Sequence, residues 1–191
     1  EIYEHINFSG TFCSIASIPG MFEKTITVNG VAKAFAMTGW RIGYIGAPEF
    51  IAKACTKMQG QVTSGANSIA QRATIAAVEA DPKVLNYMVD AFHKRRDLVV
   101  GLIQDIPGLK INVPEGAFYV FPDVSYYFNK TLKGTLIKDA SDLAMYILAE
   151  ANVATVTGEA FGNPDCLRLS YATSEEQLTE AFRRIKLALI E

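Results

Sequence analysis

Long apolar runs are missing from this chain of 191 residues: no stretch approaches the roughly 18 consecutive apolar residues of a membrane span, and no basic-then-apolar leader opens it. A soluble protein is expected. Cysteine is scarce. Cys13, Cys55 and Cys166 are an odd number, widely spaced and without a CxxC pair, which argues against a disulfide framework and a zinc knuckle and points to a reducing cytoplasm. Histidine is scarcer still, and His5 and His93 lack HExxH-type spacing, so no metal site is expected. Charge of one sign does not dominate either: 18 basic and 20 acidic residues leave a net charge of -2 with no basic cluster, which removes nucleic acid from the expected partners. Internal repeats and low-complexity tracts are absent, excluding solenoid and linker architectures. What remains is a chain half hydrophobic by count, enough for one large domain or two small ones with a real core. It opens Glu1-Ile2-Tyr3-Glu4-His5 with neither an initiator Met nor a tag, which suggests a piece of a longer protein.

Two short β-branched or apolar runs, Thr25 to Val28 and Arg41 to Ile45, are bounded by Asn29-Gly30 and Gly46-Ala47-Pro48 and read as strands. Pro48 to Met58 follows as a short helix, with Pro at its start and Glu49 in its first turn. Asn67 supplies an N-cap for Ser68 to Ala80, an Ala-rich segment without Gly or Pro that is expected to be a mostly buried helix. Asp81-Pro82 then opens a long amphipathic stretch from Lys83 to Ile106, long enough to connect two domains. After Pro107-Gly108 the elements shorten. Strands are expected at Lys110 to Val113, Ala117 to Phe121, Val153 to Val156 and Cys166 to Tyr171, and helices at Ala140 to Ala151 and Ser174 to Ile190. Thr173-Ser174-Glu175-Glu176-Gln177 has the form of a capping box at the start of the last helix. Mixed α and β structure is the simplest reading.

The segment Val28-Asn-Gly-Val-Ala-Lys33-Ala-Phe-Ala-Met-Thr-Gly-Trp-Arg41-Ile-Gly-Tyr44 places one Lys and one Arg in an otherwise uncharged stretch rich in Gly and Ala. An amine drawn out of water or set beside another cation loses its proton more readily, which is what attack on an aldehyde requires. A guanidinium stays charged and offers a fork of donors to phosphate or carboxylate. Pattern alone leaves Lys33 either a functional amine or a lysine that snorkels to the surface. A second landmark is Asn163-Pro-Asp-Cys-Leu-Arg168-Leu-Ser-Tyr-Ala-Thr-Ser174, where a lone Arg sits in an apolar strand as either a paired structural charge or an anion anchor.

The first of these segments resembles the SKxxxMTGWRxG pattern of the class I, fold-type I aminotransferases, whose lysine binds pyridoxal 5'-phosphate (PLP) covalently. The resemblance implies that Lys33 holds PLP and, once released by substrate, shuttles a proton as general base and acid. It implies that Arg41, eight positions on, grips the cofactor phosphate. Two departures, Ala32 and Gly30, stand where many relatives carry Ser and leave fewer side-chain donors for that phosphate. The opening segment is similar to the family's D-E-x-Y motif, so that Tyr3 matches the Tyr that donates to the cofactor's phenolic oxygen. The Asp that pairs with the pyridine nitrogen would stand just before Glu1. The stretch Arg168-Leu-Ser-Tyr-Ala-Thr-Ser174 resembles the family's C-terminal strand, in which Arg168 would take the substrate α-carboxylate as a bidentate pair.

The resemblance covers essentially all of the chain and implies an α/β fold. Residues 1–80 would be the latter part of the large PLP-binding domain, 81–106 a long interdomain helix, and 107–191 the small α+β C-terminal domain. Its wording is most similar to bacterial aspartate- and prephenate-type members. The implied whole protein is a cytoplasmic homodimer that transfers an amino group between an amino acid such as aspartate and a 2-oxo acid such as 2-oxoglutarate. Two alternatives stay open: a related PLP lyase on the same fold, and a catalytically silent fragment. Glu115-Gly116-Ala117-Phe118-Tyr119 and Gly158-Glu-Ala-Phe161-Gly162 also resemble family segments, and structural roles are expected for both, with Gly116 serving backbone geometry. Trp40 is expected to be a core residue.

Overall fold

A computed structural model describes residues 1–190. The chain divides into two compact units, Glu1–Val89 and Asp90–Glu191. In the first, β1 (Thr27–Asn29) pairs antiparallel with β2 (Tyr44–Gly46), with Val28 opposite Ile45. The second strand begins three residues later than its apolar run suggested, because Arg41 takes a left-handed backbone (φ 54°) after a 3₁₀ turn at Thr38–Trp40. Helix α1 (Glu49–Val62) follows Pro48, whose ring fixes a φ suited to helix entry. Helix α2 (Ser68–Val78) starts on Asn67, whose Oδ1 accepts from the backbone N–H of Ile69 and Ala70 at 2.9 and 3.0 Å.

The expectation that α2 is mostly buried fails. Ala70 is its buried residue, whereas Ile69 is 71% and Val78 51% exposed. Alanine richness gave the helix its propensity, but burial requires an apposed surface, and the described residues of this unit leave that face open. The expected long stretch divides as well. A 3₁₀ turn at Pro82–Leu85, capped by Asp81, precedes α3 (Asn86–Gln104).

The second unit is built around the three-stranded antiparallel order β3 (Tyr119–Val120), β7 (Leu167–Ser170), β6 (Val156–Thr157). Lys110 to Val113, expected as a strand, contributes one bridge, Lys110 to Asp123. A hairpin not expected from the sequence, β4 (Lys130–Leu132) with β5 (Thr135–Ile137), turns through Lys133 and Gly134, at φ 44° and 87°. Positive φ at both positions is the signature of a type I′ turn. Helices α4 (Ala140–Ala151) and α5 (Glu175–Ile190) pack together. The Tyr146 hydroxyl donates to the Ala188 carbonyl at 2.9 Å in that interface. Asp139 caps α4 through the N–H groups of Ser141 and Asp142. Ser174 caps α5 by accepting from Gln177 N–H at 3.3 Å, while the Gln177 side chain accepts from the Thr173 hydroxyl. Val99 and Ile103 of α3, Val120 of β3, Leu143 and Ile147 of α4, and Phe182 and Ile185 of α5 form the core. Burying such side chains fully contributes roughly 1.5–3 kcal/mol each.

Candidate active site

Lys33 sits in the loop that joins β1 to β2. The loop is held down on both sides of it: Val31 is fully buried and Ala34 4% exposed, while Lys33 itself is half-buried. Backbone bonds from Phe35 N–H to Val31 O (3.3 Å) and Ala36 N–H to Lys33 O (3.1 Å) close a turn around the lysine. Gly30 enters this turn so tightly that a Cβ there would lie 2.9 Å from the Ile42 carbonyl oxygen and 3.2 Å from Gly43 Cα. A serine at Gly30 would therefore require the backbone to shift, which gives a packing reason for one of the two departures from the family pattern. Ala36 and Arg41 both occupy left-handed backbone, φ 51° and 54°. Each costs about 1–2 kcal/mol without glycine. Strain of this kind concentrates where surrounding structure holds a loop in a functional shape.

The N-terminal segment is tied to the same loop. Glu4 Oε1 accepts from Asn29 Nδ2 at 2.6 Å, the Glu1 nitrogen donates to Val28 O at 2.6 Å, and the His5 ring meets Phe35 edge-on at 5.9 Å. Ile2 Cδ1 lies 3.5 Å from the Cβ position of Gly30. Tyr3, half-buried, lies between these anchors in sequence, and its carbonyl accepts from Ile6 N–H at 2.8 Å. Burial and the nearby Glu4 charge push the Tyr44 phenol above its ordinary range.

Arg41 is exposed and folds back so that Nη1 donates to Thr38 O at 2.7 Å. It lines a cleft of about 1550 Å³ together with Trp40, Tyr44, Cys55, Gln59 and Asn67. Neither Lys33 nor Tyr3 lines that cleft. Trp40 is 45% exposed on its wall, so the expectation that it belongs to the core is corrected. Its 3₁₀ turn carries it to the surface beside Arg41. One amine and one guanidinium on a single loop and one phenol on the segment tied to it are, by donor type, what a cofactor bearing an aldehyde, a phosphate and a phenolic oxygen such as PLP would call for. Among the described residues no group of three or more His, Cys, Asp or Glu could hold a metal ion, and no helix is long and apolar enough to cross a membrane.

Arg168 belongs to the second unit, on β7 opposite Val156 of β6. Its Cζ lies 3.9 Å from the Phe161 ring centroid and 4.5 Å from that of Tyr119. Among the described residues no carboxylate forms an ion pair with it. Sequence reasoning missed these two aromatic partners. The available signal was a phenylalanine followed directly by Gly162, which ends a 3₁₀ turn (Gly158–Phe161) in left-handed backbone at φ 86°. Ala117, next to Gly116, occupies left-handed backbone at φ 58°.

The family model for aminotransferase class I and II matches residues 1–185. A bifunctional aspartate aminotransferase and glutamate/aspartate-prephenate aminotransferase of Petunia hybrida is 48% identical, aligned with all of this chain and 41% of its own length. An aspartate aminotransferase of Rhizobium meliloti is 46% identical over 98% of this chain and 47% of its own. The crystal structure of the aspartate aminotransferase from Rhizobium meliloti superposes with a TM-score of 0.93 at 45% identity, over 98% of this chain and 48% of that one. The chain thus spans a little under half the length of the relatives it matches. With the sequence pattern, the fold and the family model in agreement over nearly its whole length, the chain belongs to the class I and II aminotransferases, enzymes of PLP-dependent fold type I.

Proposed function

We propose that the protein to which this chain belongs is a PLP-dependent aminotransferase that moves an amino group from aspartate, or a similar amino acid, to a 2-oxo acid such as 2-oxoglutarate. The observation that carries the reading is Lys33, held half-buried between the buried Val31 and Ala34, with the left-handed Ala36 and Arg41 further along the same loop. Relatives 44–48% identical are named aspartate aminotransferases, which supports aspartate as donor. Residues 1–80 would form the latter part of the large domain, 81–106 the interdomain helix and 107–191 the small domain. A cytoplasmic homodimer completes the proposal, supported by apolar side chains such as Phe50 and Val62, each 73% exposed, that call for an apposed surface.

In this reading the Lys33 amine holds PLP, Arg41 offers its fork to the phosphate, and the Tyr3 hydroxyl donates to the phenolic oxygen. PLP, when bound, supplies an aldehyde for the amino group and a ring that delocalises the electron pair left at Cα. Once released by substrate, the Lys33 amine would take the Cα proton of the amino acid as general base and deliver it to C4′ of the cofactor as general acid, the two transfers reversing in the opposite half-reaction. Arg168 would take the substrate α-carboxylate as a bidentate pair.

Borohydride reduction of the PLP-loaded whole protein, followed by peptide mapping, tests the assignment. The label is expected on Lys33, and a label on another lysine overturns it.

A further inference from the structure

Arg168 carries a full charge on a central strand, with aromatic rings where a structural arginine would have a carboxylate. The Phe161 and Tyr119 rings approach its Cζ to 3.9 and 4.5 Å, both inside cation–π range. A ring attracts the charge through its π face and accepts no in-plane hydrogen bond, so these contacts restrict the guanidinium while leaving its N–H donors for another acceptor. The arginine is thus held in position without being neutralised.

Each ring is itself anchored. Tyr119 faces Ser170 across the β3–β7 pair, which makes it the diagonal, same-face neighbour of Arg168 two residues along. Its segment is fastened by Tyr171 N–H to Phe118 O (2.9 Å), by the Tyr171 hydroxyl to Ala117 O (3.1 Å), and by Arg96 Nη1 to Pro114 O (3.2 Å). Phe161 comes from the 3₁₀ turn and packs edge-on against Phe121 at 6.4 Å. Phe121 sits where Gly158 has no side chain, since its Cζ lies 2.9 Å from that glycine's Cβ position.

We propose that Phe161 and Tyr119 are positioning residues that hold the Arg168 guanidinium in the orientation that receives the substrate carboxylate. This rests on the reading of Arg168 as carboxylate anchor. Loss of either ring lets the long side chain sample other rotamers, so carboxylate binding weakens while the proton transfer at Cα is touched less.

The test uses the whole enzyme with Phe161→Leu, Tyr119→Leu, Phe161→Trp and Arg168→Lys. Steady-state kinetics are combined with calorimetric binding of succinate, a dicarboxylate with no amino group to react, and with thermal melting to confirm folding. Phe161→Leu and Tyr119→Leu are expected to raise KM and the succinate Kd roughly three- to tenfold, with kcat changed less than KM. Phe161→Trp restores affinity because it keeps a π face. Unchanged KM and Kd in folded Phe161→Leu and Tyr119→Leu, with Arg168→Lys impaired, overturn the positioning role alone. Unchanged values in Arg168→Lys overturn the anchor reading beneath it. If Phe161→Leu does not fold, Tyr119→Leu and the Trp variant decide the outcome by the same comparison.

Discussion

The Tyr171 hydroxyl donates to the Ala117 carbonyl oxygen at 3.1 Å, joining residues 54 positions apart. Tyr171 is fully buried just beyond β7, and Ala117 sits in left-handed backbone just before β3, so the bond braces the two strands beside Arg168. Removing it with Tyr171→Phe should cost about 1 kcal/mol, read as a lower urea midpoint with an unchanged slope. Burial pushes the Tyr171 phenol up to about 12, with the Asp97 charge adding to the shift and Arg96 opposing it, and burial likewise takes Tyr127 to about 12. A phenol raised in the folded state adds stability that is fully present below its unfolded value near 10. That stability is lost as pH rises from about 10 to about 12. Denaturation midpoints measured across this window should fall, and Tyr171→Phe should flatten the decline.

Gly158 has no room for a side chain. A Cβ there would lie 2.2 Å from the Asn163 carbonyl oxygen and 2.6 Å from that of Cys166, both backbone atoms that cannot swing away. Gly158→Ala is expected to destabilise the protein by about 1–3 kcal/mol through overpacking. Because the same atom would press on Phe121, it should also weaken succinate binding through Phe161. A Gly158→Ala variant with wild-type melting temperature would contradict this packing.

Thiol reactivity should separate the three cysteines. Cys13 and Cys55 are exposed in this chain, whereas Cys166 is buried, and its thiol is pushed up by burial and by the carboxylates of Asp123 and Asp165. A neutral, buried thiol is a poor nucleophile. A chromogenic disulfide reagent should therefore titrate two thiols quickly in the native chain and the third after denaturation. Fast reaction of all three would contradict the burial of Cys166.

Local signals in the sequence reached many elements. The helix at Ala140–Ala151 has the expected ends, and Asn67 and Ser174 cap the helices they were expected to cap. Such features are readable because a cap or a helical period is decided within a few residues. The hairpin at Lys130–Ile137 escaped notice because Lys133-Gly134 lacks the Asn-Gly or Asp-Gly signature. Lys110 to Val113 has strand composition but, among the described residues, pairs only at Lys110, since a ladder needs a partner that composition does not specify.

By itself the sequence determined the family, through the Lys33 and Arg41 spacing and the Arg168 segment, together with the order of helices and strands that carry them. The tertiary structure alone decided which apolar faces stay open, such as that of α2, and that Trp40 lies on a cleft wall. It also decided that Phe161 and Tyr119, 42 residues apart, converge on one guanidinium. The reason is physical: caps and periods act along the chain, whereas burial and cation–π contacts depend on which distant segments folding brings together.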